Sequence, residues 1–222
     1  MGKPATQVQH AETKLRQLIL NMNIRPGERM TERHIEGMLG VSRTSVRTAL
    51  LHLVNEGLVS QQGRGWIVSP IDLDEISQLC TYRKILELGA IGHCTPAIIR
   101  SDIAQGEQLL SAAASMTAYE ECDQAGYDFH LWIATLSRND FVIQGVENAT
   151  LRLRRARWLA DDHNRNEWDE HRAIVAALKE ADLTKASRLT EDFLQRKRQK
   201  LLGVLQEKKK LLTEQGALFF PV

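Results

Sequence analysis

The sequence predicts a mainly α protein in two parts: three short N-terminal helices closed by a small β-hairpin, then an all-α bundle of six or seven helices. Three observations predict it. A helix-length apolar stripe, Val46, Leu50, Leu53 and Val54, follows directly on the turn Gly40-Val41-Ser42. Leu58-Val59-Ser60-Gln61 and Trp66-Ile67-Val68 flank Gly63-Arg64-Gly65, as in a hairpin with a glycine-bearing tip. From Glu75 to about Leu205, helical stripes recur and no strand pattern interrupts them.

Taken in order, residues 1–9 read as a disordered tail, and a first helix is expected over His10 to Met22 on Leu15, Leu18, Ile19 and Met22. Pro26-Gly27 breaks the chain into a turn. Thr31 is placed to cap a second helix that runs to Leu39 and ends at Gly40. The Ser42 helix starts almost at once, which is helix-turn-helix spacing. Leu58 to Gln61 and Trp66 to Val68 then form the hairpin, which makes the first part a winged helix-turn-helix over residues 10–70.

A linker is expected at 71–75. The bundle, 76–206, is read from Ile76, Leu79, Tyr82 and Leu86; from Ile103, Leu109 and Leu110; and from Phe129, Trp132, Ile133 and Leu136. It continues at Phe141 to Leu159, Glu167 to Lys179 and Leu183 to Leu205, with residues 207–222 as a C-terminal tail.

Composition narrows the partners. Residues 1–70 hold nine lysines and arginines against five acids, a net of +4, while the remainder is net −3. A basic head on a slightly acidic body suits nucleic acid. The three cysteines, Cys80, Cys94 and Cys122, are odd in number and lack metal-type spacing, which points to a reduced, cytoplasmic protein. No apolar run approaches a membrane span, and the N-terminus lacks a signal-peptide core.

The Ser42 helix carries Ser42, Arg43, Thr44 and Arg47 in its leading turn, away from the apolar stripe. Hydroxyls and guanidiniums there can bond phosphates and base edges of a DNA major groove, with Arg64 of the wing over the minor groove or a phosphate.

At these residues the chain resembles the GntR superfamily of bacterial transcription regulators. The likeness rests on Arg25-Pro26-Gly27-Glu28-Arg29, Thr31-Glu32-Arg33, Leu39-Gly40-Val41-Ser42-Arg43-Thr44, Val46-Arg47, Glu56-Gly57-Leu58-Val59 and Arg64-Gly65. The bundle resembles the effector-binding FCD domain of the FadR subfamily, through Arg83-Lys84-Ile85-Leu86-Glu87, Asp128-Phe129-His130 and Glu170-His171-Arg172. The resemblance implies that Arg33, Ser42, Arg43, Thr44, Arg47 and Gly65 read the operator.

Many FCD domains hold a divalent metal (Zn, Ni or Mn) through an Asp and three His. His130 and His171 match the middle two positions, but Gly126 and Phe193 stand where the Asp and the last His belong. Firm transition-metal sites take three or more protein ligands. Asp128 lies about 200° round a helix from His130 and cannot substitute. Three readings of His130 and His171 stay open: a metal-free effector pocket for an organic anion, a weakened metal site completed by water or effector, or core histidines without a ligand. Arg83 matches a cavity-facing family position and suits an effector carboxylate, its alternative being an ion pair with Glu87 one turn on. Arg155 and Trp158 are the other expected effector-site residues.

The expectation is a dimeric, ligand-responsive regulator that binds a palindromic DNA operator and takes a small organic acid or related metabolite as effector. It is not expected to be an enzyme: HExxH, GxSxG, Walker and GxGxxG patterns are missing. The alternatives are a metal-dependent enzyme on the helical part, or a DNA binder without an effector, for which so large a bundle is excessive.

Overall fold

A computed structural model describes residues 6–160, 167–214 and 219. The chain divides into two compact units. The first comprises Met1–Leu73, Arg154–Ala160 and Val204–Val222; the second comprises Asp74–Leu153 and Asp161–Gly203.

In the first unit the order is α1 (Gln7–Leu20), β1 (Arg29–Met30), α2 (Glu32–Leu39), α3 (Arg43–Asn55), β2 (Val59–Gln62) and β3 (Gly65–Val68). Helix α1 starts earlier than the apolar pattern suggested. Thr6 caps it through Gln9 N–H, and the Gln9 side chain bonds back to the Thr6 backbone. This reciprocal box satisfies orphan donors that an apolar stripe cannot reveal. Residues 1–5 of the expected tail lie outside the described residues. Met22, expected on the inner stripe, falls beyond the helix in a left-handed turn at φ 60°.

Thr31 caps α2, and Gly40 ends it in the left-handed conformation at φ 66°, where a side chain would be strained. Ser42 then caps α3. The face that α3 buries is Val46, Ala49, Leu50 and Leu53, whereas Val54 is 37% exposed. At about 100° per residue, Ala49 lies about 60° to one side of Val46 and Val54 about 80° to the other. The packed arc is centred on Leu53 and Val46, so Val54 falls off its edge. Leu15 and Ile19 of α1 are buried in the same core, and Arg16 ties α1 to the end of α3 through Glu56.

The sheet has three strands in the order β1-β3-β2, all antiparallel. The expected hairpin is β2 and β3, with Gln61 opposite Trp66. Strand β1 adds to the expected hairpin; two residues carry no usable alternation, and it forms by pairing Arg29 with Ile67 and Met30 with Trp66.

The second unit is helical: α4 (Leu73–Gly92), α5 (Pro96–Ala113), α6 (Tyr119–Thr135), α7 (Asp140–Ala160), α8 (Glu167–Lys179) and α9 (Leu183–Glu214), the last parts of α7 and α9 belonging to the first unit. Its core gathers Ile91, Ile99, Leu110, Phe129, Trp132, Ile133, Leu136, Ile174 and Leu178. Gly106 of α5 lets the Trp132 ring lie against the backbone. Helix α4 buries the expected stripe only in part: Ile76 is buried, Leu79 and Leu86 are half-buried and Tyr82 is exposed, while the packed face runs Ile76, Arg83, Glu87, Ala90 and Ile91. Apolar periodicity misses a buried face that carries charges. Residues 207–214 continue α9, and Phe219 forms a parallel bridge with Ile71. Among the described residues no helix is long and apolar enough to cross a membrane.

Candidate functional site

Two clusters carry chemistry. The first surrounds the exposed leading turn of α3. Glu32, the first residue of α2, points its carboxylate at two arginines of α3. Arg47 Nε and Nη2 donate to it at 2.7 and 2.9 Å, and Arg43 Nε donates at 2.8 Å. Trp66 of β3 lines the same groove as this carboxylate. Hydrogen bonds from Arg47, then Arg43, bring the Glu32 carboxyl down to about 2, against the opposing effect of its burial. It is ionised throughout the physiological range. Both arginine side chains remain mostly exposed, whereas Glu32 is 8% exposed.

Arg43, Arg47 and Arg64 line one groove of about 470 Å³ with Glu32, Leu51 and Trp66. The sequence expectation sends Arg43 and Arg47 to the major groove of DNA and Arg64 over the minor groove or a phosphate; the tertiary structure brings the three to one surface groove. Thr44 and Arg33 are exposed on α3 and α2. The Ser42 hydroxyl is engaged in capping, accepting from Ser45 N–H at 3.2 Å. Gly65 lies where a Cβ would come within 3.2 Å of the Met30 carbonyl, a close approach between β3 and β1. Glu32 was missed: it stood inside the Thr31-Glu32-Arg33 motif, and a carboxylate beside a helix cap reads as a dipole partner until the fold shows what it faces.

The second cluster lies in the helical unit. Glu87, fully buried, accepts from or donates to His130 Nδ1 at 2.9 Å according to the proton's place, and pairs with Arg83 Nε at 3.2 Å. The ion pair expected as Arg83's alternative role is therefore present. His171 stands 5.5 Å from His130, ring centre to ring centre, and packs against Phe129, Trp168 and Phe193. It is 2% exposed, and neither ring nitrogen has a hydrogen-bond partner. Burial first, then the neighbouring His130, Arg83 and Lys197, pushes its pKa well below the ordinary value. A neutral imidazole results, with one donor and one acceptor unused. Leaving such a buried group unmade costs about 1–3 kcal/mol.

The residues present do not fit a firm metal site. Phe193 occupies the place of a ligand and packs on both histidines, at 5.6 Å from His130 and 4.7 Å from His171. Gly126 contributes no side chain, and a Cβ there would meet nothing within 4 Å. No group of three or more His, Cys, Asp or Glu among the described residues is disposed to hold a metal ion. Arg155 and Trp158 belong to the first compact unit, not to this cluster's unit. Arg155 is buried and donates to the Ser69 carbonyl at 2.7 Å, while Trp158 is partly exposed.

Comparison with known proteins covers both parts of the chain. Residues 7–68 match the family model of bacterial regulatory proteins, gntR family, and residues 78–196 match the FCD domain. The Uxu operon transcriptional regulator of Escherichia coli (strain K12) is 30% identical over 222 residues, covering 87% of this chain and 86% of that protein. The Nta operon transcriptional regulator of Aminobacter aminovorans is 27% identical over 170 residues, 72% of this chain and 78% of that protein. A solved structure described as a GntR regulator from Rhodococcus sp. RHA1 superposes with a TM-score of 0.75 at 24% identity, over 90% of this chain and 99% of that one. The winged head and the helical unit therefore have one explanation: the chain belongs to the gntR family of bacterial regulatory proteins, with a DNA-binding winged helix-turn-helix followed by an FCD domain.

Proposed function

We propose that this transcription regulator reads a palindromic operator as a homodimer in the cytoplasm, through residues 10–70, and that a small organic acid or related metabolite controls it through residues 76–206. The observation that carries the reading is the groove in which Arg43, Arg47 and Arg64 stand together. Arg33, Ser42, Thr44 and Gly65 complete the DNA-facing set, as positioning or base contacts.

His171 supports the effector half. A buried neutral imidazole with two unused nitrogens offers a ligand one donor and one acceptor, and burial strengthens both bonds. Arg83 adds positive charge to the same cluster. No metal is assigned a role.

The dimer is supported by an exposed apolar patch on the helical unit. Tyr82 and Ile85 of α4 are exposed, and so is Phe141 of α7, at 85%. The Tyr82 hydroxyl reaches Gly145 of α7, one turn beyond Phe141, so these exposed residues lie on two helices that meet. Contiguous apolar exposure of this kind marks association surfaces.

The test is selection of operators from random duplex DNA by the full-length protein, followed by thermal-shift screening of organic acids. Expected are a selected palindrome and an acid that both raises Tm and changes operator affinity. Recovery of no sequence preference overturns the DNA half. A ligand that stabilises the protein without changing operator affinity overturns the regulatory half.

A further inference from the structure

Two like charges one turn apart on a helix repel each other. Arg43 and Arg47 have that spacing, yet both side chains converge on one carboxylate. Glu32 is ionised and nearly enclosed, and it touches each guanidinium on its Nε edge. Arg43 keeps both Nη groups for another partner, and Arg47 keeps Nη1. A guanine edge in the major groove is read by two parallel N–H donors from one guanidinium. Pinned at Nε, Arg43 still presents such a pair. The carboxylate also cancels one of the two positive charges on this face. Charge alone drives sequence-independent binding to phosphates, in proportion to the phosphates neutralised.

We infer that Glu32 is a positioning residue for base reading: it orients Arg43 and Arg47 and lowers the face's charge, so that α3 selects sequence over generic phosphate. Trp66 of the wing strand β3 lines the same groove as the Glu32 carboxylate. This rests on the reading that Arg43 and Arg47 meet operator DNA.

The experiment uses the full chain and Glu32→Gln, which keeps the shape and removes the charge. Probes are an operator selected by the parent protein and a scrambled duplex of equal length, titrated by anisotropy at several salt concentrations. Operator affinity should fall about tenfold, as for a compromised arginine–base contact. Binding to the scrambled duplex should hold or strengthen, and its salt slope should steepen by about one. A parallel loss on both duplexes with an unchanged slope means that Glu32 only supports the fold, and overturns the inference. The double variant Arg43→Ala, Arg47→Ala separates the premises. If it binds the operator as the parent does, the contact reading fails. If it loses the operator while Glu32→Gln keeps the parent's selectivity, only the Glu32 inference fails. A measurement on the unaltered protein covers the case in which Glu32→Gln does not fold. In DNA-free protein the Nε–H signals of Arg43 and Arg47 should be protected from rapid solvent exchange, and rapid exchange at both overturns the inference.

Discussion

The Phe193 ring stacks on the His130 imidazole, centroids 5.6 Å apart and planes inclined by 29°. An apolar ring thus lies where FCD relatives that hold a metal place a histidine. Glu87 meanwhile holds His130 Nδ1, the arrangement by which carboxylates orient metal-bound imidazoles. Phe193→His would give the cluster a third imidazole. Zinc should then bind the variant stoichiometrically and stabilise it by roughly 3 kcal/mol at a hundredfold excess over Kd. Metal content after dialysis and Tm with and without zinc check this. Equal zinc content in parent and variant would show that the cluster's geometry, not Phe193, controls metal binding.

His171 makes stability depend on pH. Its folded pKa is depressed, so below about 6.5 the unfolded chain takes up a proton that the folded chain refuses. Its contribution is therefore fully present above that pH and lost as pH falls. Urea unfolding between pH 8 and pH 5 should show the parent losing up to about 1.4 kcal/mol per pH unit more than His171→Leu in the acidic range. At pH 8 the variant should be as stable or more so, because it removes two unmade polar groups. Identical pH profiles would mean that His171 is charged in the folded state.

Arg47→Ala should weaken binding to a selected operator roughly tenfold or more at fixed salt. The folded structure should be unaffected, since the side chain is largely exposed. Gel-shift titration and circular dichroism read the two halves separately. Unchanged operator affinity with an intact spectrum would remove Arg47 from the interface.

Gly106→Ala reverses the usual sign of its class. Alanine in a helix interior ordinarily gains about 1 kcal/mol over glycine. Here the added Cβ would lie 2.5 Å from the buried Trp132 ring, and overpacking of this kind costs about 1–3 kcal/mol. Thermal unfolding should show a lower Tm. A raised Tm would mean that Trp132 moves aside freely.

Ile85→Glu combined with Phe141→Glu should convert a dimer to monomers without lowering secondary-structure content. Light scattering across a concentration series reads the mass directly. A variant that remains dimeric places the association surface elsewhere.

The sequence by itself determined the winged head, the glycine turn at Gly40 and the helical character of the rest. These features follow from local chemistry: caps, left-handed positions and apolar periodicity within one helix. It also determined that Gly126 and Phe193 deprive His130 and His171 of two metal ligands. The tertiary structure alone decided what each charged side chain faces. Glu32 and Arg47 are 15 residues apart, and Glu87 and His130 are 43 apart, distances that no periodicity spans. Burial on α4 falls on Arg83 and Glu87 because those charges neutralise each other and engage His130, so a face that looks solvated in sequence can pack inward. Strand β1 likewise exists only because β3 offers Arg29 and Met30 a partner. Hydrogen-bond and ion-pair partners across the fold are long-range facts, and those partners set the geometry of both clusters.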